Sequence, residues 1–149
     1  MIKFLYTVGT TPFMSLTNYL VKNFDIPGND IILQTAQDTN TEHINSARFL
    51  HDFEERVDEY ELIVTHAGAG SIYGLLEKGK NLIVVPNLER DDKHQSEIAK
   101  FVEDNNYALV CWDISDLPKL INKSRTFKKN KYDKTDFFKY DEIIRIIHE

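Results

Sequence analysis

Leu62-Ile63-Val64-Thr65-His66-Ala67-Gly68-Ala69-Gly70-Ser71-Ile72 passes from an apolar, β-branched run through a cluster of tiny residues into a helix-like segment. Leu62–Thr65 predicts a strand, and its lack of a polar face predicts a place inside a parallel sheet covered on both sides. Ser71–Lys78 predicts a short helix, with Ser71 as its N-cap and Gly79 as its stop. The turn between them holds glycine, alanine and serine where a bulky side chain would keep a ligand away from the backbone.

Outward from this unit, strand-like and helix-like segments alternate. Ile2–Val8, Ile31–Thr35, Ser46–Leu50, Asn81–Val85 and Tyr107–Trp112 read as further strands. Ser15–Phe24, the acidic Phe53–Tyr60, Lys93–Asp104 and Ser115–Ile121 read as helices, the last capped by Ser115. Asp25–Asp30 predicts a turn and Gln37–Glu42 a polar loop. About six βα units of this kind make an α/β fold, a Rossmann-like parallel sheet with helices on both faces. After Asn122 the texture changes. A basic polar stretch leads into Phe137–Ile147, whose isoleucines and phenylalanine mark an amphipathic helix. The expected division is a domain over residues 1–122, then a basic linker and partner-docking helix over 123–149.

The 149 residues suffice for one domain with a real core, and 42% hydrophobic with 28% charged residues is the balance of a folded protein. No run of about 18 apolar residues is present to form a membrane-spanning helix. The start Met1-Ile2-Lys3-Phe4-Leu5-Tyr6 does not have the pattern of a secretory signal. The single cysteine, Cys111, allows neither an intrachain disulfide nor a cysteine metal cluster. A cytoplasmic protein is the expectation. The net charge of −6 argues against general nucleic-acid binding. Seven of the 18 basic residues nevertheless crowd between Lys119 and Lys134 against one acid, Asp133. The cluster faces anionic lipid headgroups, at about 1 kcal/mol per cation, or is a solvated linker.

Ligands of an open parallel sheet bind beyond the carboxyl ends of its strands. Three strand-to-helix loops are unusual there. Thr7-Val8-Gly9-Thr10-Thr11-Pro12 offers a close backbone approach and hydroxyl donors. His66–Ser71 lets backbone N–H groups converge at a positively polarised helix start, which suits a diphosphate. It is neither a P-loop nor the Gly-x-Gly-x-x-Gly dinucleotide fingerprint, because Tyr73-Gly74 follows Gly68-x-Gly70. The third loop, Pro86–Gln95, brings Asn87, Asp92, His94 and Gln95 to a helix start, where amides and a carboxylate suit sugar hydroxyls. The five histidines lack ligand spacing, so neither a metal nor another cofactor is expected. No Gly-x-Ser-x-Gly elbow signals a hydrolase.

Taken together, His66-Ala67-Gly68-Ala69-Gly70-Ser71-Ile72, Gly79-Lys80, Ile83-Val84-Val85-Pro86-Asn87 and Asp92-x-His94-Gln95 resemble the C-terminal domain of family 28 glycosyltransferases. Tyr6-Thr7-Val8-Gly9-Thr10-Thr11-Pro12-Phe13 is similar to the N-terminal signature of that family's free-standing soluble subunits. Those are the soluble subunit of the dolichol-pathway N-acetylglucosaminyltransferase and the PssE-like subunits of capsule and exopolysaccharide synthesis. The resemblance covers about residues 1–122.

It implies half of a GT-B enzyme that holds a UDP-sugar, while a membrane-anchored partner binds a polyprenyl-diphosphate-linked acceptor. Gly68, Ala69, Gly70 and Ser71 would hold the diphosphate. Asn87, Asp92, His94 and Gln95 would face the donor sugar, and Gly9, Thr10 and Thr11 would line the interdomain cleft. His66, the one catalytic candidate, touches the donor phosphate or braces the loop. Many relatives carry a ribose-binding Glu where this chain has Gly74, and Glu77, one turn on, is the substitute candidate. That departure inclines the resemblance toward the bacterial branch. The reaction implied is an inverting hexosyl transfer, in a complex peripheral to the membrane. A non-catalytic nucleotide-binding or scaffolding subunit is the alternative.

Overall fold

The computed structural model describes residues 1–90 and 93–133. Asp92 and the Phe137–Ile147 helix predicted above lie outside the described residues.

Six parallel strands form one sheet: β1 (Lys3–Thr7), β2 (Asp30–Gln34), β3 (Asn45–Ala47), β4 (Leu62–His66), β5 (Asn81–Val85) and β6 (Leu109–Val110). Their spatial order is β3-β2-β1-β4-β5-β6, the doubly wound arrangement expected of a Rossmann-like fold. The chain order reverses between β1 and β4. Connections on either side of that point leave in opposite directions, so a crevice opens beyond the carboxyl ends of those two strands. Register places Thr7 beside both Gln34 and Thr65, and His66 beside Val85, at this end of the sheet.

Among the described residues, five α-helices cover the two faces: α1 (Met14–Phe24), α2 (Phe53–Asp58), α3 (Ala69–Glu77), α4 (His94–Asp104) and α5 (Leu117–Ser124). Side chains alternate across each strand, so every central strand feeds two cores. Leu5, Ile63 and Val84 pack with Val57 of α2, Ile72 and Leu75 of α3 and Ile98 and Val102 of α4. Phe4, Tyr6, Val64 and Ile83 pack with Leu16 and Leu20 of α1 and Leu117 and Ile121 of α5. That is why these strands read as continuous apolar runs.

Four expectations are corrected. The third strand ends at Ala47 rather than Leu50, since its ladder with β2 stops at Gln34↔Ala47 and Phe49 turns out to solvent. The last strand narrows from Tyr107–Trp112 to Leu109–Val110, extended only by the Cys111 N–H donating to the Val84 carbonyl. Ser115 is not a cap. Asp113 accepts its N–H and hydroxyl at 3.0 and 2.8 Å, opening a 3-10 turn before α5. Ser71 is not a cap either, because α3 starts at Ala69 and Gly68 occupies the N-cap position.

The basic stretch after Asn122 belongs partly to the domain. Helix α5 runs on to Ser124, and Phe127 packs against the α1/α5 core. Tyr132 meets the Tyr107 ring edge-on at 5.5 Å, and Asn130 pairs with the Asn106 carbonyl at 2.8 Å. Two aromatic rings find apolar partners here, so residues 125–133 lie across the domain rather than away from it.

Candidate functional site at the strand-order reversal

The loop after β1 is shaped from below by Gln34. Its Oε1 accepts the Thr7 hydroxyl at 2.6 Å and the Val8 and Gly9 N–H groups at 3.0 and 3.1 Å. Its Nε2 donates to the Gly9 and Arg48 carbonyls. The turn carries Gly9 at φ +68°, a left-handed conformation that glycine adopts without steric cost. Its α-carbon is left facing His66. A Cβ there would sit 3.3 Å from His66 Nε2.

The loop after β4 is shaped by Gln95, the second residue of α4. Its Oε1 accepts the Ala67 N–H at 3.2 Å and the Asn87 N–H at 2.9 Å, tying the ends of β4 and β5 together. Its Nε2 lies 3.3 Å from His66 Nδ1, and His66 Nε2 lies 3.3 Å from Ser71 Oγ. The imidazole lies over Gly68 so closely that a Cβ there would come within 2.5 Å of it. Gly70, by contrast, has open space where a side chain would begin. Burial, reinforced by the nearby Arg90 guanidinium, lowers the His66 pKa to about 4, so the ring is neutral near pH 7.

Several helices start at this end of the sheet, and the N-termini of α1 and α3 differ in charge. Glu89 accepts the Ser15 N–H at 3.2 Å and the Ser15 hydroxyl, placing a carboxylate on the first turn of α1. No side chain caps α3 among the described residues. A second anion at α1 would meet the Glu89 charge, whereas the α3 terminus, with about half a positive charge and unpaired first-turn amides, attracts one. Of these two termini, that of α3 is the one without a carboxylate on its first turn. Beside it runs a groove of about 360 Å³, lined by Phe53, Val57, Gly70, Ser71, Gly74 and Glu77.

Of the predicted site residues, Gly9, His66, Gly68, Ala69, Gly70 and Ser71 gather at the reversal point. Thr10 and Thr11 are exposed at its edge. Asn87 and Gln95 are buried, and the Asn87 side-chain oxygen accepts the Glu89 N–H at 3.1 Å. His94 opens α4 and is half-buried. Glu77 lies along the groove from Ser71. Asp92 is outside the described residues. Gln34 and Glu89 were missed. A glutamine closing an otherwise apolar strand was the available signal for the first; the second carried none.

The family model described as the glycosyltransferase family 28 C-terminal domain matches residues 5–145. The chain belongs to that family. The human UDP-N-acetylglucosamine transferase subunit ALG13 is 34% identical over 119 residues, which cover 70% of this chain and 10% of the relative. The chain thus spans about a tenth of that protein's length. Among solved structures, Acinetobacter baumannii MurG superposes with a TM-score of 0.63 at 24% identity, covering 84% of this chain and 40% of MurG. A solution structure of ALG13 gives 0.59 at 18% identity, covering 95% of this chain and 94% of that one. These likenesses show the fold, that of one lobe of the GT-B glycosyltransferases.

Proposed function

We propose that this chain is the donor-binding subunit of a two-component inverting glycosyltransferase. It holds a UDP-sugar, and a membrane-anchored partner presents a polyprenyl-diphosphate-linked acceptor for glycan or polysaccharide synthesis. The observation that carries the proposal is the uncapped α3 N-terminus beside open space at Gly70, facing Gly9 across the crevice. The subunit name of the human relative supports the division between two chains, and it favours N-acetylglucosamine as the sugar over the exopolysaccharide donors.

In this account the diphosphate lies against the Gly68–Ser71 amides. As the glycosidic bond breaks, charge grows on the departing UDP, and the amides and helix dipole stabilise it without reorganising. Arg90, close enough to act on His66, adds positive charge to the same place. The nucleoside takes the groove between α2 and α3, with Glu77 as its ribose contact, and His94 at the start of α4 faces the sugar. His66 has both ring nitrogens engaged by Gln95 and Ser71, so it braces the loop rather than acting as a base. The base that activates the acceptor hydroxyl comes from the partner. The complex is cytoplasmic and peripheral to the membrane, with the Lys119–Lys134 cluster toward anionic lipid.

Calorimetry of the purified chain against UDP-N-acetylglucosamine tests the binding half, and transfer assays test the rest. The chain binds donor and transfers nothing alone. Efficient transfer to a polyprenyl-linked acceptor by the single chain contradicts the division of labour. Gly70→Trp separates a donor-binding subunit from a scaffold: the former loses transfer with the complex intact, the latter loses nothing.

A further inference from the structure

Gln95 matters for more than tying two strands together. Its Oε1 receives two backbone N–H groups, from Ala67 and Asn87, which only an oxygen can accept, so the orientation of the amide is settled by its surroundings. The NH2 end must then face His66 Nδ1 at 3.3 Å. An NH2 group can only donate, so Nδ1 must carry a lone pair. A neutral imidazole with a bare Nδ1 bears its proton on Nε2. That nitrogen lies 3.3 Å from Ser71 Oγ, which therefore accepts, and the serine hydrogen turns elsewhere. Ser71 Oγ stands across the crevice from Gly9, 3.9 Å from where a Cβ of that residue would be.

We infer that Gln95 is a positioning residue which, through the His66 tautomer, commits the Ser71 hydroxyl to donate into the crevice toward a diphosphate oxygen. The inference rests on the diphosphate proposal for its ligand, but the tautomer half stands on the hydrogen-bond geometry alone. The relay runs in one direction, from backbone amides through Gln95 and His66 to Ser71. Reversing its first member reverses its last. A carboxylate at position 95 keeps an oxygen for Ala67 and Asn87 but offers an acceptor to Nδ1. The ring then shifts its proton to Nδ1, and Nε2 takes the serine hydrogen away from the ligand.

The test uses the full chain, the Gln95→Glu variant and UDP as probe. Long-range 15N NMR of His66 reads the tautomer directly; binding is measured at a pH above the variant's His66 titration midpoint, read from the same spectra. The wild type is expected to carry the proton on Nε2 and Gln95→Glu to carry it on Nδ1. The variant should bind UDP about tenfold more weakly, the effect of losing one hydrogen bond to a charged group. Ser71→Ala should cost the same factor in the wild type and less than about twofold in Gln95→Glu, because the hydroxyl is already lost there. A wild-type Nδ1 proton, an unchanged tautomer in the variant, or an equal Ser71→Ala cost in both backgrounds overturns the relay. A wild-type chain that takes up no UDP overturns the functional proposal instead, while the spectra still decide the tautomer.

Discussion

Glu89 holds the N-terminus of α1, accepting both the backbone N–H and the hydroxyl of Ser15, 74 residues earlier in the chain. This contact sets a carboxylate on the first turn of α1 at the sheet's carboxyl edge, while the first turn of α3 carries none. Glu89→Ala should lower stability by about 1 kcal/mol, the usual cost of a lost cap, and the melting temperature by about 2–4 °C. UDP affinity should stay the same. A variant that binds UDP clearly more tightly once the Glu89 carboxylate is gone would move the ligand to α1.

The two glycines of the α3 turn should respond oppositely to alanine. At Gly68 a Cβ meets the His66 ring at 2.5 Å, so the imidazole must leave its place, at a cost of about 1–3 kcal/mol. At Gly70 a Cβ meets nothing, and alanine in a helical position stabilises by up to about 1 kcal/mol. Thermal melts of Gly68→Ala and Gly70→Ala check the contrast. Equal destabilisation would contradict the ring's placement.

His66 titrates low because burial, then the Arg90 charge, disfavours the imidazolium. Its folded pKa of about 4 lies below the unfolded value near 6.5, so acid favours the unfolded chain. The stabilisation is complete above about pH 6.5 and is lost as pH falls toward 4. Partial exposure of the ring holds the loss to about 1–2 kcal/mol. His66→Asn should flatten this part of the stability curve between pH 7 and 4. An unchanged curve would show that His66 is not the buried neutral ring described.

Cys111 is buried, its Sγ donates to the Asp113 carbonyl at 3.0 Å, and burial aided by Asp116 and Asp113 pushes its pKa up to about 12. Iodoacetamide at pH 8 should leave the native thiol unmodified and label it rapidly once the chain is unfolded in urea. Fast native labelling would mean that the β6 edge opens readily.

Local chemistry made much of this molecule legible and distance hid the rest. Leu62–Thr65 and Asn81–Val85 read as central strands because each is apolar on both sides, and the structure buries both sides. The tiny residues from Ala67 to Gly70 marked the turn that packs against His66 and leaves open space at Gly70, because small side chains are visible without a partner. Ser71 was misassigned as a cap because serine suits that position, yet Gly68 with an extended backbone begins the helix and frees Ser71 for His66. Gln34 and Gln95 act through backbone groups about 25 and 28 residues away, and Glu89 through one 74 away, separations across which periodicity carries no signal.

The central claim is that a diphosphate is held by the first-turn amides of α3 and not of α1. Amide chemical-shift mapping of the 15N-labelled chain with UDP tests it most directly. Large, saturable shifts at Gly68, Ala69, Gly70 and Ser71, with Ser15 and Leu16 nearly still, are the predicted result. Shifts centred on Ser15, or none anywhere at millimolar UDP, would contradict it.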